Sequence, residues 1–263
     1  MNTPRRLFLI DVDGVLTNLR AQMNPTAVGL SARSSTKGTV AYATGRAAGW
    51  LLRTLVPHLD EVYRHDPTPP ALLYSECGSI VLERSATGHW VKSVLWTGPR
   101  IEQYRGRLRE EIAKIPGVFF DSDKEIMISV EARHDMRDTQ HDLVEEGLAK
   151  THDLLKSVAA GDSSVEVLKT TYACDLVPRG LNKVFASTTI IHRLGHVPSY
   201  VNILGDSVSD LLLAEGVREQ GIPYTMHFLG DPTLLTAEHH EKYALELPSA
   251  RYDEGAIEVF RSL

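Results

Sequence analysis

The stretch Leu7-Phe8-Leu9-Ile10-Asp11-Val12-Asp13-Gly14-Val15-Leu16-Thr17 decides how the chain is read. Four apolar residues with no polar alternation run straight into two carboxylates spaced i, i+2. Such a run suits a strand buried on both faces, as in the middle of a parallel sheet. Asp11 then falls where the strand ends, Asp13 can share its side, and Gly14 lets the chain turn away. Acids at the carboxyl end of a central parallel strand stand where open α/β sheets bind ligands. A lone D-x-D-G is also a common solvated turn. What matters is whether later strand ends supply matching groups.

Going outward from that strand, 38–43 (Gly-Thr-Val-Ala-Tyr-Ala) reads as a second buried strand that delivers Thr44-Gly45-Arg46 into a helix over 47–56, stopped near Pro57. A strand–Thr-Gly–helix junction offers an anion a hydroxyl, backbone N–H groups and a helix dipole, although the same pattern also serves as a plain turn with a threonine cap. Short strands are expected at 61–63 and 71–74 around a proline-rich turn at 67–70, and another at 79–83. From about Gly88 the pattern changes. A strand at 89–93 leads to a helix over 100–115, strands at 118–120 and 124–130, a long helix over 139–159, and strands at 164–169 and 172–177. Helix–strand–strand, twice over, describes an α+β module set into a chain that otherwise alternates β and α. The alternation resumes with a helix opened by Lys183, an apolar strand at 200–204 that delivers Gly205-Asp206-Ser207-Val208-Ser209-Asp210, and a helix over 211–219. Outer strands at 224–228 and 244–247 and a terminal helix from 253 follow. The expected domains are a core of 1–84 with 178–263 and an insertion of 85–177.

Composition narrows the function. The 263 residues are 43% hydrophobic and 24% charged, an ordinary globular balance. A formal charge of −6 gives no electrostatic reason to expect nucleic acid or an anionic membrane as partner. No apolar run reaches bilayer-spanning length. Arg5-Arg6 precede an apolar stretch, but Asp11 and Asp13 interrupt it too early for a signal core. Cys77 and Cys174 are too few for a disulfide framework or a four-cysteine zinc site, so a reducing cytoplasm is expected. Cys77 reads as a small buried residue, and His239-His240 as surface, lacking the i, i+4 spacing of a helical metal pair. Tyr104 and the arginines around it read as one charged helix face.

If the strands are adjacent and parallel, Asp11, Asp13, Thr44, Lys183, Asp206 and Asp210 converge. Four acids and one lysine in a small space repel one another, and a divalent oxygen-seeking cation relieves that repulsion. With no Cys/His cluster, Mg²⁺ suits such a set better than zinc. A carboxylate beside Mg²⁺ can attack phosphorus, and a second one two residues on can serve as acid and base.

This constellation resembles the haloacid dehalogenase superfamily of phosphatases over nearly the whole chain. The four motifs stand as Asp11-Val12-Asp13-Gly14, Ala43-Thr44-Gly45-Arg46, Lys183, and Gly205-Asp206-Ser207-Val208-Ser209-Asp210. The insertion is similar to the type IIB cap of sucrose-phosphate, trehalose-phosphate and mannosyl-3-phosphoglycerate phosphatases and of phosphomannomutase. The resemblance implies an α/β fold, with a Rossmann-like parallel-sheet core and an inserted α+β cap of doubled αββ. It implies a Mg²⁺-dependent phosphatase acting on a small phosphorylated sugar or related metabolite, with a phosphomutase or a non-catalytic phosphate sensor as alternatives. It casts Asp11 as nucleophile, Asp13 as acid/base, Thr44, Gly45 and Lys183 as phosphate-binding, and Asp11, Asp13, Asp206 and Asp210 as the metal set. Arg46, Arg133 and Lys169, with His134 and Tyr172, are candidates for substrate contact. Ser209 departs from the asparagine frequent at that place in the family.

Overall fold

Leu7, Phe8, Leu9 and Ile10 are wholly buried, and they form most of β1 (Arg6–Ile10). β1 pairs in parallel on both sides, as an all-apolar strand should. Leu7 and Leu9 sit in one apolar cluster, and by alternation Phe8 and Ile10 take the other face. Burying each such side chain contributes about 1.5–3 kcal/mol. The computed structural model describes residues 6–18, 20–66, 70–133, 135–136, 139–170 and 172–263. His134 and positions 67–69 of the proline-rich turn lie outside the described residues. The chain divides into two units, Met1–Leu95 with Asn182–Leu263, and Trp96–Leu181.

In the first unit, β1 is followed by α1 (Pro25–Arg33), β2 (Gly38–Ala43), α2 (Ala48–Thr54), α3 (Val56–His65), β3 (Leu72–Ser75), β4 (Ile80–Arg84) and β5 (Trp90–Val94). The second unit contains α4 (Glu102–Ile112), β6 (Val118–Phe120), β7 (Ile128–Ala132), α5 (His141–Ala159), β8 (Val165–Lys169) and β9 (Ala173–Pro178). The chain returns to the first unit with α6 (Lys183–Arg193), β10 (Tyr200–Gly205), α7 (Leu211–Glu219), β11 (Tyr224–Phe228), α8 (Ala237–Lys242), β12 (Leu245–Glu246) and α9 (Tyr252–Ser262).

The sheet of the first unit runs β12-β11-β10-β1-β2-β3-β4-β5. It is parallel from β12 to β3, and β4 and β5 add antiparallel strands at one edge. Leu7, Leu9 and Ile203 share a cluster with Ala186 and Ile190 of α6 and with Leu213, Ala214 and Val217 of α7. α1 packs with α3 and α9. Its start is set by Asn24, whose side chain accepts from the N–H groups of Thr26 and Ala27, with Pro25 in the first turn.

The second unit is the expected doubled helix–strand–strand. Its sheet is antiparallel, in the order β6-β7-β9-β8. Ile128, Val130, Cys174 and Leu176 form its core with Leu108 and Ile112 of α4 and Val144, Leu148 and Leu155 of α5.

Two readings change. The strand expected at 61–63 is helix, because Pro57 opens α3 instead of only closing α2. Val62-Tyr63 has strand propensity, but Val56 and Leu59 are buried one turn apart, and packing overrides local preference. The strand expected at 89–93 is β5, and it pairs with β4 from Ile80↔Val94 to Arg84↔Trp90. The second unit therefore starts at Trp96, not 85, and runs to Leu181, not 177.

Candidate active site

Alternation along β1 carries Asp11 onto the side of Leu7 and Leu9, the side covered by α6. Lys183 is the first residue of α6, held there by Asn182, whose side chain caps Val184 N and Phe185 N. A cation at a helix N-terminus opposes the helix dipole. Two carboxylates offset that: Lys183 Nζ donates to Asp11 Oδ1 at 2.8 Å and also to Asp210 Oδ1. Asp11 is 3% and Asp210 0% exposed, so this contact is shielded from solvent.

β10 lies against β1 and ends one step before Asp206. Asp210 organises the loop between β10 and α7. Its Oδ2 accepts from Asp206 N at 3.0 Å, Ser207 N at 2.8 Å and Ser207 Oγ at 2.8 Å. Ser209 bonds Ser207, their hydroxyls 2.8 Å apart. Two glycines make the close approach feasible. Gly14, at φ +68°, lies so near Asp206 that an added Cβ would sit 2.1 Å from Asp206 Oδ2. At Gly205 a Cβ would fall 2.3 Å from Asp210 Cβ.

One carboxylate oxygen from each of Asp11, Asp206 and Asp210 lies within 4.8 Å of the others. Burial, opposed by Lys183 and reinforced by Asp210 and Asp13, pushes the Asp11 carboxyl up to about 7. Burial and then the charges of Asp210 and Asp11 push Asp206 up to about 8. Burial works against the Lys183 charge, yet Asp11 and Asp210 hold it well above the ordinary lysine range. Carboxylates crowded so closely that two resist ionisation are a fit for a divalent cation, and an all-oxygen donor set suits Mg²⁺. Asp210 Oδ2 already accepts from three loop donors and its Oδ1 from Lys183, which leaves Asp11 and Asp206 the less encumbered of the three carboxylates.

Asp13, expected among the metal ligands, turns its carboxylate elsewhere. Arg46 grips it with a fork: Nε lies 2.9 Å from Oδ2 and Nη2 2.9 Å from Oδ1. Arg46, expected at substrate, is thus placed on Asp13, with its guanidinium 5.0 Å from the centre of the Trp50 ring. The Asp13–Arg46 pair was not legible in the motifs, since nothing local links positions 33 residues apart.

Thr44 stands beyond the end of β2 and is 1% exposed. Its N–H donates to Tyr74 O at 3.0 Å and its Oγ1 accepts from Arg46 N at 3.1 Å. A Cβ added at Gly45 would enter open space. Cys77 is half-buried at φ 55°, not fully enclosed as expected, and Cys77 N donates to Thr44 O at 3.0 Å. His239 helps cap α8.

The substrate candidates of the second unit are spread out within it. Arg133 is exposed beside Asp135, 3.4 Å away. Lys169 rims a shallow hollow with Asp142, Glu145 and Glu146, and Tyr172 is exposed. Among the described residues, the buried polar ones of this unit are different: Lys124, Ser129, Glu131 and Thr151, with the half-buried Asp175 accepting from Ser129 Oγ. Burial raises the Asp175 carboxyl, an effect opposed by Lys124. The available signal was Ser129 and Glu131 alternating with Ile128 and Val130 on a strand whose residues are all buried.

No family model matches the sequence, and no curated protein matches it. Solved structures do match its fold. The C-terminal domain of the C. albicans trehalose-6-phosphate phosphatase aligns at TM-score 0.69 and 16% identity, over 98% of this chain and 91% of that one. A haloacid dehalogenase-like hydrolase from Bacteroides thetaiotaomicron aligns at 0.64 and 13%, over 98% and 99%. The Synechocystis sucrose-phosphatase, solved with sucrose and phosphate, aligns at 0.55 and 17%, over 98% of both chains. With its parallel sheet, its doubled αββ insertion and these matches along the full chain, the protein has the fold of the haloacid dehalogenase-like hydrolases.

Proposed function

We propose that the protein is a Mg²⁺-dependent phosphatase that hydrolyses a small phosphorylated sugar or related metabolite. The observation that carries this reading is the largely enclosed Lys183 bridging Asp11 and Asp210, with Asp206 beside them, at adjacent parallel strand ends. A trehalose-6-phosphate phosphatase and a sucrose-phosphatase among the solved neighbours support this substrate class.

Asp11 is the nucleophile. One of its oxygens bonds to phosphorus as the ester P–O bond breaks, and Asp13 gives a proton to the departing alkoxide. Asp13 then takes a proton from water as that water attacks the aspartyl-phosphate. The bond from phosphorus to Asp11 breaks, releasing inorganic phosphate and restoring the carboxylate. Lys183, Thr44 and Gly45 orient the phosphoryl oxygens, since phosphoryl transfer depends mostly on positioning and charge neutralisation. Mg²⁺ held by Asp11 and Asp206 supplies further neutralisation of phosphate charge.

The test is a panel of sugar phosphates, phosphoglycolate and glycosyl-phosphoglycerates incubated with protein and Mg²⁺. Free phosphate from a sugar phosphate is the expected product. An isomerised sugar phosphate with no free phosphate would move the assignment to a mutase, and no turnover of any ester would remove it.

Metal binding has its own readout. Mg²⁺ at a hundredfold excess over its Kd stabilises the fold by about 2.7 kcal/mol, a shift of several degrees in melting temperature. Asp206→Asn is expected to lose that shift while folding normally. A Mg²⁺ shift retained in full by this variant would show that the ion sits elsewhere.

A further inference from the structure

We infer that Arg46 is a positioning residue for Asp13, which it holds in line for proton transfer, and is not itself a contact to the substrate. This rests on the phosphatase reading above. The geometry is a two-pronged one. Arg46 Nε approaches both Asp13 oxygens, at 3.2 and 2.9 Å, and Nη2 closes the fork at 2.9 Å. Planar forks of this kind fix a carboxylate's orientation as well as its place, which a lysine could not do.

Each end of the pair is anchored independently. Arg46 N donates to Thr44 Oγ1 at 3.1 Å, and Arg46 O accepts from Glu76 N at 3.0 Å, so its backbone is tied between the ends of β2 and β3. One turn on, Trp50 lies under the guanidinium and restricts its swing. Asp13 sits in a turn closed by Leu16 N donating to Val12 O at 2.9 Å and Gly14 N donating to Thr17 Oγ1 at 3.0 Å. The Arg46 side chain is 18% exposed and that of Asp13 38%, so the carboxylate keeps an open side for a proton partner while the guanidinium is the more enclosed of the two. The fork engages both Asp13 oxygens, while the three carboxylates whose oxygens approach one another are those of Asp11, Asp206 and Asp210.

A double-mutant cycle on a sugar phosphate that the protein hydrolyses, combining Arg46→Ala with Asp13→Asn, tests this. Arg46→Ala is expected to lower kcat about 10- to 100-fold, a part of what a general acid–base group provides, with KM within about threefold of the parent. Arg46→Lys, which keeps the charge and loses the fork, should show most of the same loss. Guanidinium ion, far below denaturing concentration, should restore part of the rate of Arg46→Ala by occupying the place above Trp50. Once Asp13 is Asn, adding Arg46→Ala should change kcat little further. Multiplying effects of the two substitutions, or a raised KM with kcat intact, would overturn the inference and make Arg46 a substrate contact, leaving the phosphatase reading in place. Failure of the unaltered protein to hydrolyse any ester would overturn both.

Discussion

Asp11→Asn is expected to reduce phosphate release by about 10⁴-fold or more while the protein still folds, because an amide cannot form the acyl-phosphate on which both half-reactions depend. The wild type, quenched during turnover, should carry phosphate on Asp11, and the variant should carry none. The folding half of the expectation follows from the environment. An amide has the same shape, its oxygen can still accept from Lys183 Nζ, and Asp210 keeps a carboxylate on that lysine. Circular dichroism and a melting curve separate lost chemistry from lost structure. Vigorous turnover by a folded Asp11→Asn protein in Mg²⁺ would refute the role given to this residue.

The second large effect is on stability. Lys183→Met removes the cation that Asp11 and Asp210 share and leaves both acids buried without a counter-charge. Breaking one partner out of a buried pair costs about 3–5 kcal/mol. In a domain of this size that lowers the melting temperature by roughly 6–20 °C. Activity should vanish with it, since the phosphoryl oxygens lose a positive partner. Mg²⁺ distinguishes this account from a simple packing defect, because a cation held by Asp11 and Asp206 returns charge to the same place. The melting gap between variant and wild type should therefore narrow when Mg²⁺ is added. A variant that melts with the wild type in metal-free buffer would mean that the lysine is electrostatically idle.

Much of this site could be read from residues whose chemistry conflicts with their local surroundings. Asp11 follows four apolar residues, and Asp206 follows the apolar strand at 200–204 and Gly205. Such conflicts persist only where partners resolve them, which is why the strand ends pointed to one another. The buried strands at 7–10, 38–43 and 200–204 were legible for a related reason, as both faces of each are covered. What escaped the sequence depended on distant geometry. Val62-Tyr63 looks like a strand until α3 is packed against α1. The strand at β5 carries no mark of which sheet it joins, and only its register with β4 assigns it. The orientation of the Asp13 side chain is set by Arg46, 33 residues away, and the acids whose oxygens lie close together are Asp11, Asp206 and Asp210.

The central place of β1 also has a consequence for biosynthesis. Its acid waits for a lysine 172 residues further along, and its neighbour β10 is made later still. At 5–20 residues per second a ribosome takes roughly 9–34 s to reach that lysine. For that interval Leu7, Phe8, Leu9 and Ile10, wholly buried in the finished fold, lack the strand that covers one side of β1, and an uncovered apolar edge is what makes a nascent chain prone to aggregate.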